Sequence, residues 1–154
     1  MPYEFKVTRR VEFSETDMAG IVHYANFFRY METAEHAFFR SLGFSVAMDA
    51  TQPPVGWPRV HAQCDFKAPL RFEDEIEIHM FVVEKKSKSL SYIFRIRKLN
   101  GSPPMEIACG KLTVVCVSRD SHGKMSAQPI PKALADKIEV TPAEALSLAN
   151  QRAR

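Results

Sequence analysis

Asp17-Met-Ala-Gly20-Ile-Val-His23-Tyr24-Ala-Asn26-Phe-Phe-Arg-Tyr30-Met-Glu32 runs a lone carboxylate through a glycine loop into the start of a long apolar helix. A helix start carries unpaired backbone N–H groups and the positive end of the macrodipole. It can therefore hold an oxygen on which negative charge develops. A carboxylate a few residues upstream is placed to act on the carbon attached to that oxygen. The stretch thus has the parts of an acyl-transfer or hydrolysis site, compressed into about one loop and one helical turn.

Working outward, Asn26 reads as the N-cap of the helix and Gly43 as the residue just past its end. At about 100° per residue, Phe27, Tyr30, Met31, Ala34, Phe38 and Leu42 share one face. Arg29, Thr33, His36 and Arg40 lie opposite, and Phe28, Glu35 and Phe39 flank the apolar side. An apolar arc this broad makes the helix a core element wrapped by something large. Upstream, Tyr3, Phe5, Val7, Val11 and Phe13 alternate with polar neighbours, which predicts a strand over 3–13. Arg9 breaks the alternation, but its stem can cover apolar surface.

Downstream, Pro53, Pro54, Gly56 and Pro58 make Asp49–Pro58 a loop. Strand patterns follow over Val60–Phe66, Ile76–Val82, Leu90–Arg97 and Ile107–Val117, with a polar joint at Lys85–Ser89 and a turn at Asn100-Gly101. Pro131–Ile138 and Pro142–Gln151 each begin at Pro and read as two short helices or one broken one. The fold class is α+β: a curved antiparallel sheet of about five strands wrapped around one central helix, with short C-terminal helices. Such a sheet has free edges and tends to pair with a copy of itself, so a homodimer is expected.

The 154 residues suit one domain, with a core over about 3–120 and a C-terminal extension over 121–154. Apolar residues make up 45% and charged residues 25%, ordinary globular values that exclude a disordered or fibrous chain. A net charge of +3 suits an anionic ligand and is too weak for nucleic acid. Cys64, Cys109 and Cys116 are odd in number and lack metal-ligand spacing, which points to reduced thiols and no metal site. The N-terminus has no apolar signal region, and no stretch reaches ~18 apolar residues, so a cytoplasmic protein without a membrane span is expected.

Asp17-x-x-Gly20-x-Val22-x-Tyr24-x-Asn26-(aromatic), leading into Tyr30-Met-Glu32 and continued by Phe66-x-x-Pro69-x-x-Phe72-x-Asp74-x-Ile76, resembles the hotdog-fold acyl-CoA thioesterases. Within them it is most similar to the 4-hydroxybenzoyl-CoA thioesterase group and its bacterial acyl-CoA relatives. The resemblance covers roughly residues 5–120. It implies the hotdog fold and Asp17 as the catalytic carboxylate, acting as nucleophile or general base. It also implies that the backbone amide at Tyr24 polarises the thioester carbonyl. Gly20, Val22, His23 and Asn26 then line the substrate, and Lys88 and Ser89, with Arg119 behind them, meet the CoA phosphates. The implied substrate is an acyl-CoA or acyl-carrier protein, with no cofactor other than the substrate's own coenzyme A. The implied assembly is a homodimer that builds a homotetramer. Many bacterial relatives carry His where Tyr24 stands and Tyr where His23 stands, so no imidazole role is carried over.

The chemistry holds without the family. A thiol has a pKa of roughly 8.5 and leaves readily, so thioester hydrolysis needs no dedicated general acid. One oxyanion donor contributes about 3–4 kcal/mol. No Gly-x-Ser-x-Gly elbow offers a serine nucleophile. His23 reads as a partly buried, hydrogen-bonded histidine, and His61 and His79 as strand-face residues. Glu32 and Glu35 offer a helix-borne carboxylate, as another hotdog branch uses, but rank behind Asp17. Glu32 is spaced to pair with His36 or Arg29. Two other functions would use the same groove: a non-catalytic acyl-CoA or acyl-carrier-protein binder, and an enoyl-thioester dehydratase or isomerase. The dehydratase or isomerase needs an Asp/His pair that only His23 could complete.

Overall fold

The computed structural model describes residues 2–47 and 54–151. In chain order these form β1 (Glu4–Arg10), α1 (Ala25–Ser41), β2 (Arg59–Phe66), β3 (Glu75–Lys85), β4 (Ser89–Lys98) and β5 (Met105–Val115). The short pair β6 (Val117–Arg119) and β7 (Met125–Ala127) follows, then α2 (Lys132–Ala135) and α3 (Ala143–Gln151). The main sheet has five strands in the order β1-β3-β4-β5-β2, with every neighbouring pair antiparallel.

Alternation in β3 and β4 puts Ile76, Ile78, Met80 and Val82 on one face beside Leu90, Tyr92, Phe94 and Ile96. The α1 residues Phe27, Tyr30, Met31, Ala34, Phe38 and Phe39 join them in one buried cluster. The helix meets both edges of the sheet. Phe38 approaches Phe5 of β1 at 6.4 Å between ring centroids, and Phe27 approaches Phe66 of β2 at 5.0 Å. Phe66 marks the end of the sheet at which α1 begins. The opposite sheet face carries the ion pairs Arg97–Glu77 at 2.8 Å and Arg95–Glu106 at 3.0 Å, and a His79–Glu4 hydrogen bond at 2.7 Å. There α3 is held by Arg95, which donates to the Ala149 carbonyl.

The strand expected over 3–13 ends at Arg10. Phe13–Glu15 is instead a 3-10 turn, its Phe13 exposed and edge-on to Phe72 at 5.8 Å. Backbone pairing decides this, because beyond Arg10 the β3 partner has run out at Glu75. Asn26 is not the N-cap. It lies in the first turn, buried, and its side-chain amide donates to the Glu15 carbonyl at 2.8 Å. Gly43 does follow the helix end, with φ +86° that favours glycine. The joint Lys85–Ser89 is the β3–β4 hairpin, with a register shift between Val82 and Glu84. Half of the loop expected over Asp49–Pro58, residues 49–53, lies outside the described residues; in the rest Gly56 pairs with Val117. The last strand ends at Val115, and the β6–β7 hairpin that follows is too short to show a period.

The extension closes one end of the core. Ile130, Leu134 and Ile138 are buried in the main cluster. Lys85 Nζ donates to the Ala135 and Ile138 carbonyls, and Lys137 Nζ to that of Leu42. Each lysine thus neutralises carbonyls at a helix C-terminus.

Candidate active site

Asp17 opens a tight loop. Its N–H donates to the Ile21 carbonyl at 2.9 Å, and the Gly20 N–H donates back to the Asp17 carbonyl at 2.9 Å. Gly20 has φ +77°, a conformation that side-chain-bearing residues resist. The loop closes on a bridge between Thr16 and Val22, next to the His23 N–H bond to the Glu15 carbonyl. Those two pairings hold the strand leading into Asp17 against the strand leading out to Tyr24. The exposed carboxylate and the helix start are thereby carried on one short hairpin, with Tyr24 three residues past Ile21, the backbone partner of Asp17. Asp17 Oδ1 accepts the Ala19 N–H at 2.8 Å, while Oδ2 has no protein partner among the described residues.

At the helix entrance the orphan donors are used up in a particular order. The Ala25 N–H donates to His23 Nδ1 at 3.3 Å, the Asn26 N–H to the His23 carbonyl and the Phe27 N–H to the Tyr24 carbonyl. Among the described residues, the Tyr24 N–H alone of these has no partner. His23 is exposed rather than partly buried; its ring caps the helix and stacks on Tyr24 at 4.8 Å. It makes no hydrogen bond to Asp17. Val22 is buried, and its N–H donates to the Leu70 carbonyl at 2.8 Å. Asp17, Gly20, Val22, His23, Tyr24 and Asn26 are thus brought together.

Beside this hairpin Glu15 organises a part-buried anchor that sequence reading missed. Its carboxylate takes Arg9 at 2.6 Å and the Tyr30 hydroxyl at 3.1 Å, while its carbonyl takes His23 and Asn26. Burial, then the Glu15 charge, push the Tyr30 hydroxyl pKa well up, which keeps it a neutral donor. The Arg9 guanidinium lies over the Tyr30 ring at 4.8 Å, so its stem covers apolar surface as expected. The visible signal was Arg9 itself, the single break in an apolar alternation.

One chain does not bring Lys88 and Ser89 to Asp17. They sit where β4 begins, whereas the Asp17 loop touches Leu70 near the start of β3. The eleven residues of β3 separate these ends by roughly 35 Å at about 3.4 Å per residue. Near the Lys88 end, Arg119 helps line a cleft of about 490 Å³ with Trp57, Pro58, Val117 and Met125. Glu35, fully buried, takes Arg59 in a two-pronged pair at 2.6 and 3.0 Å, and Glu32 approaches His36 at 3.8 Å. Among the described residues, no group of three or more His, Cys, Asp or Glu is placed to hold a metal ion. All three cysteines are free. No described helix is long and apolar enough to cross a membrane.

Residues 11–138 match the sequence profile of the thioesterase-like superfamily. The chain belongs to that superfamily. It is 37% identical over 100 residues to a putative esterase of Aquifex aeolicus, covering 64% of this chain and 74% of that one. A 1,4-dihydroxy-2-naphthoyl-CoA hydrolase of Parasynechococcus marenigrum is 26% identical over 124 residues, 76% of this chain and 79% of its own. Among solved structures, a gentisyl-coenzyme A thioesterase superposes with a TM-score of 0.71 at 34% identity, covering 84% of this chain and 98% of that one. This superfamily member is a hotdog-fold enzyme of the acyl-CoA thioesterase class, related to the 4-hydroxybenzoyl-CoA and dihydroxynaphthoyl-CoA thioesterases.

Proposed function

We propose that this thioesterase hydrolyses an acyl-CoA at the Asp17 loop, with the Tyr24 amide as the oxyanion donor. The observation carrying this reading is the free Tyr24 N–H on the same short hairpin as the exposed Asp17 carboxylate, held by the Thr16–Val22 and Glu15–His23 pairings. The carbonyl oxygen accepts the Tyr24 N–H, and negative charge grows there as the carbon becomes tetrahedral. Asp17 Oδ2 either attacks that carbon, giving an anhydride that water then cleaves, or takes a proton from the attacking water. In both routes the thiolate of coenzyme A leaves, and the products are a carboxylic acid and CoA. Gly20 keeps the loop tight and Val22 ties it to the core, so both act by placing Asp17.

The functional unit in this reading is a homodimer, assembling further to a homotetramer in a cytoplasmic setting with the sheet curving around α1. The edge strand β2 supports it: every β2 residue except Cys64 is exposed, with Val60 and Phe66 at 62% and 50%. An apolar, unpaired edge invites a second copy. Antiparallel β2–β2 pairing across a twofold axis sets the Arg59 end of one sheet beside the Phe66 end of the other. The Lys88–Ser89 end of one chain then lies near the Asp17 end of its partner, within reach of an extended CoA.

The test is Asp17→Asn, assayed by release of free thiol from a panel of acyl-CoA and acyl-carrier-protein substrates. The variant should stay folded and lose about 10²-fold or more in kcat. Near-full turnover would remove Asp17 from the mechanism. A single turnover in ¹⁸O-water reveals the nucleophilic route when water cleaves the anhydride at the Asp17 carbonyl, because only that route leaves label in Asp17.

A further inference from the structure

The Asp17 loop has little holding it. Residues 17–20 are all exposed, and among the described residues one side chain hydrogen-bonds the loop from outside. That side chain is Arg71, whose Nη1 lies 3.5 Å from the Gly20 carbonyl oxygen. It is also the group that a Cβ at Gly20 would meet, at 3.9 Å. No carboxylate lies within ion-pair distance of Arg71 among the described residues, unlike Arg9, Arg10, Arg59, Arg95 and Arg97.

Arg71 belongs to a turn that straddles the loop. Its neighbour Leu70, fully buried, accepts the Val22 N–H at 2.8 Å, and Phe72 packs edge-on against Phe13 just upstream of Asp17. The turn is built around Asp74, a buried carboxylate. Asp74 Oδ2 accepts the Arg71 N–H at 2.7 Å, and Oδ1 receives Asn100 at 3.2 Å and Lys98 at 3.3 Å. The Asp74 N–H returns to the Arg71 carbonyl at 3.1 Å. Between them Glu73 adopts φ +71°, a costly conformation for a non-glycine residue, while its N–H pairs with Val11. The turn is thus over-determined by bonds to the ends of β1 and β4, and it contacts the Asp17 segment at positions 13, 20 and 22.

We propose that the Leu70–Asp74 turn is the device that positions the catalytic loop, and that Arg71 is its positioning residue. Arg71 acts through the Gly20 carbonyl and does not touch the substrate. This rests on the reading of Asp17 as the catalytic carboxylate. Misplacing a reacting group by about 1 Å can cost ~10²-fold in rate, so an exposed loop needs such a brace.

The experiment compares Arg71→Ala, Arg71→Lys and Asp17→Asn in acyl-CoA turnover and thermal unfolding. Arg71 is exposed, so Arg71→Ala should unfold within about 2 °C of the parent. Its kcat should fall about tenfold or more while KM changes by less than about threefold. Arg71→Lys, which keeps a donor for the Gly20 carbonyl, should recover most of that loss. Unchanged kcat in Arg71→Ala, with Asp17→Asn inactive, would overturn the brace and leave the site reading standing. A rise in KM alone would make Arg71 a substrate contact and equally overturn it. Full activity in Asp17→Asn would remove the site reading and this inference together.

Discussion

Glu35 shows how much a single residue can hinge on its partner. Burial pushes its carboxyl pKa up, and the two-pronged contact with Arg59 pulls the other way without winning. Removing one member of such a pair strands the other, at a cost of about 3–5 kcal/mol. Arg59→Met should therefore destabilise the chain by about 3 kcal/mol at pH 7. The sign with pH follows from the raised folded pKa. Stability is full below the unfolded carboxyl value and is lost as pH rises through the folded one. The deficit should accordingly shrink at pH 5, where the stranded Glu35 can take up a proton. Urea unfolding of parent and variant at both pH values measures it, and an equal deficit at the two would contradict the assignment. Asp74 has the opposite sign: burial opposes its charge, but bonds from Arg71, Asn100 and Lys98 outweigh that and hold its pKa low. Its contribution is present above the unfolded carboxyl value and fades as pH falls through the folded one.

At the scale of elements, α1 and β5 meet at Gly110. A Cβ there would overlap the Met31 methyl and sulfur and approach the Gln63 carbonyl oxygen at 3.3 Å. Glycine at this point lets the helix sit close over a strand that pairs with β4 on one side and β2 on the other. Gly110→Ala should cost about 1–3 kcal/mol through overpacking. Met31 is a flexible side chain, so shortening it should relieve part of the strain. In a double-mutant cycle, Gly110→Ala with Met31→Ala should be more stable than the sum of the two single losses by about 1 kcal/mol. Strict additivity would mean that the two do not touch. The helix itself was legible in sequence because a 3.6-residue apolar period over seventeen residues has few other solutions. Its first residue was misread, since Asn26 has cap chemistry while its amide is drawn inward to Glu15.

For the whole molecule, the proposed dimer across the exposed β2 edge would tie assembly to catalysis. Sedimentation equilibrium should give at least twice the 17.5 kDa chain mass. If CoA spans two chains, activity per chain should drop on dilution below the dimer's dissociation constant. A monomer with undiminished kcat/KM would refute the two-chain site.

The sequence by itself determined the helix α1, the five long strands and the Asp17-to-Tyr24 segment. Each is written in local terms: a period, a glycine at a positive φ, a run of fixed spacing. Tertiary structure decided which groups those segments meet. It left the Tyr24 N–H free because His23 satisfies its neighbours. It joined Glu35 to Arg59 across twenty-four residues, and it set Arg71 against Gly20 across fifty-one. It also sent Lys88 to the far end of the sheet. Contacts between distant residues depend on strand order and register, and no local pattern encodes those.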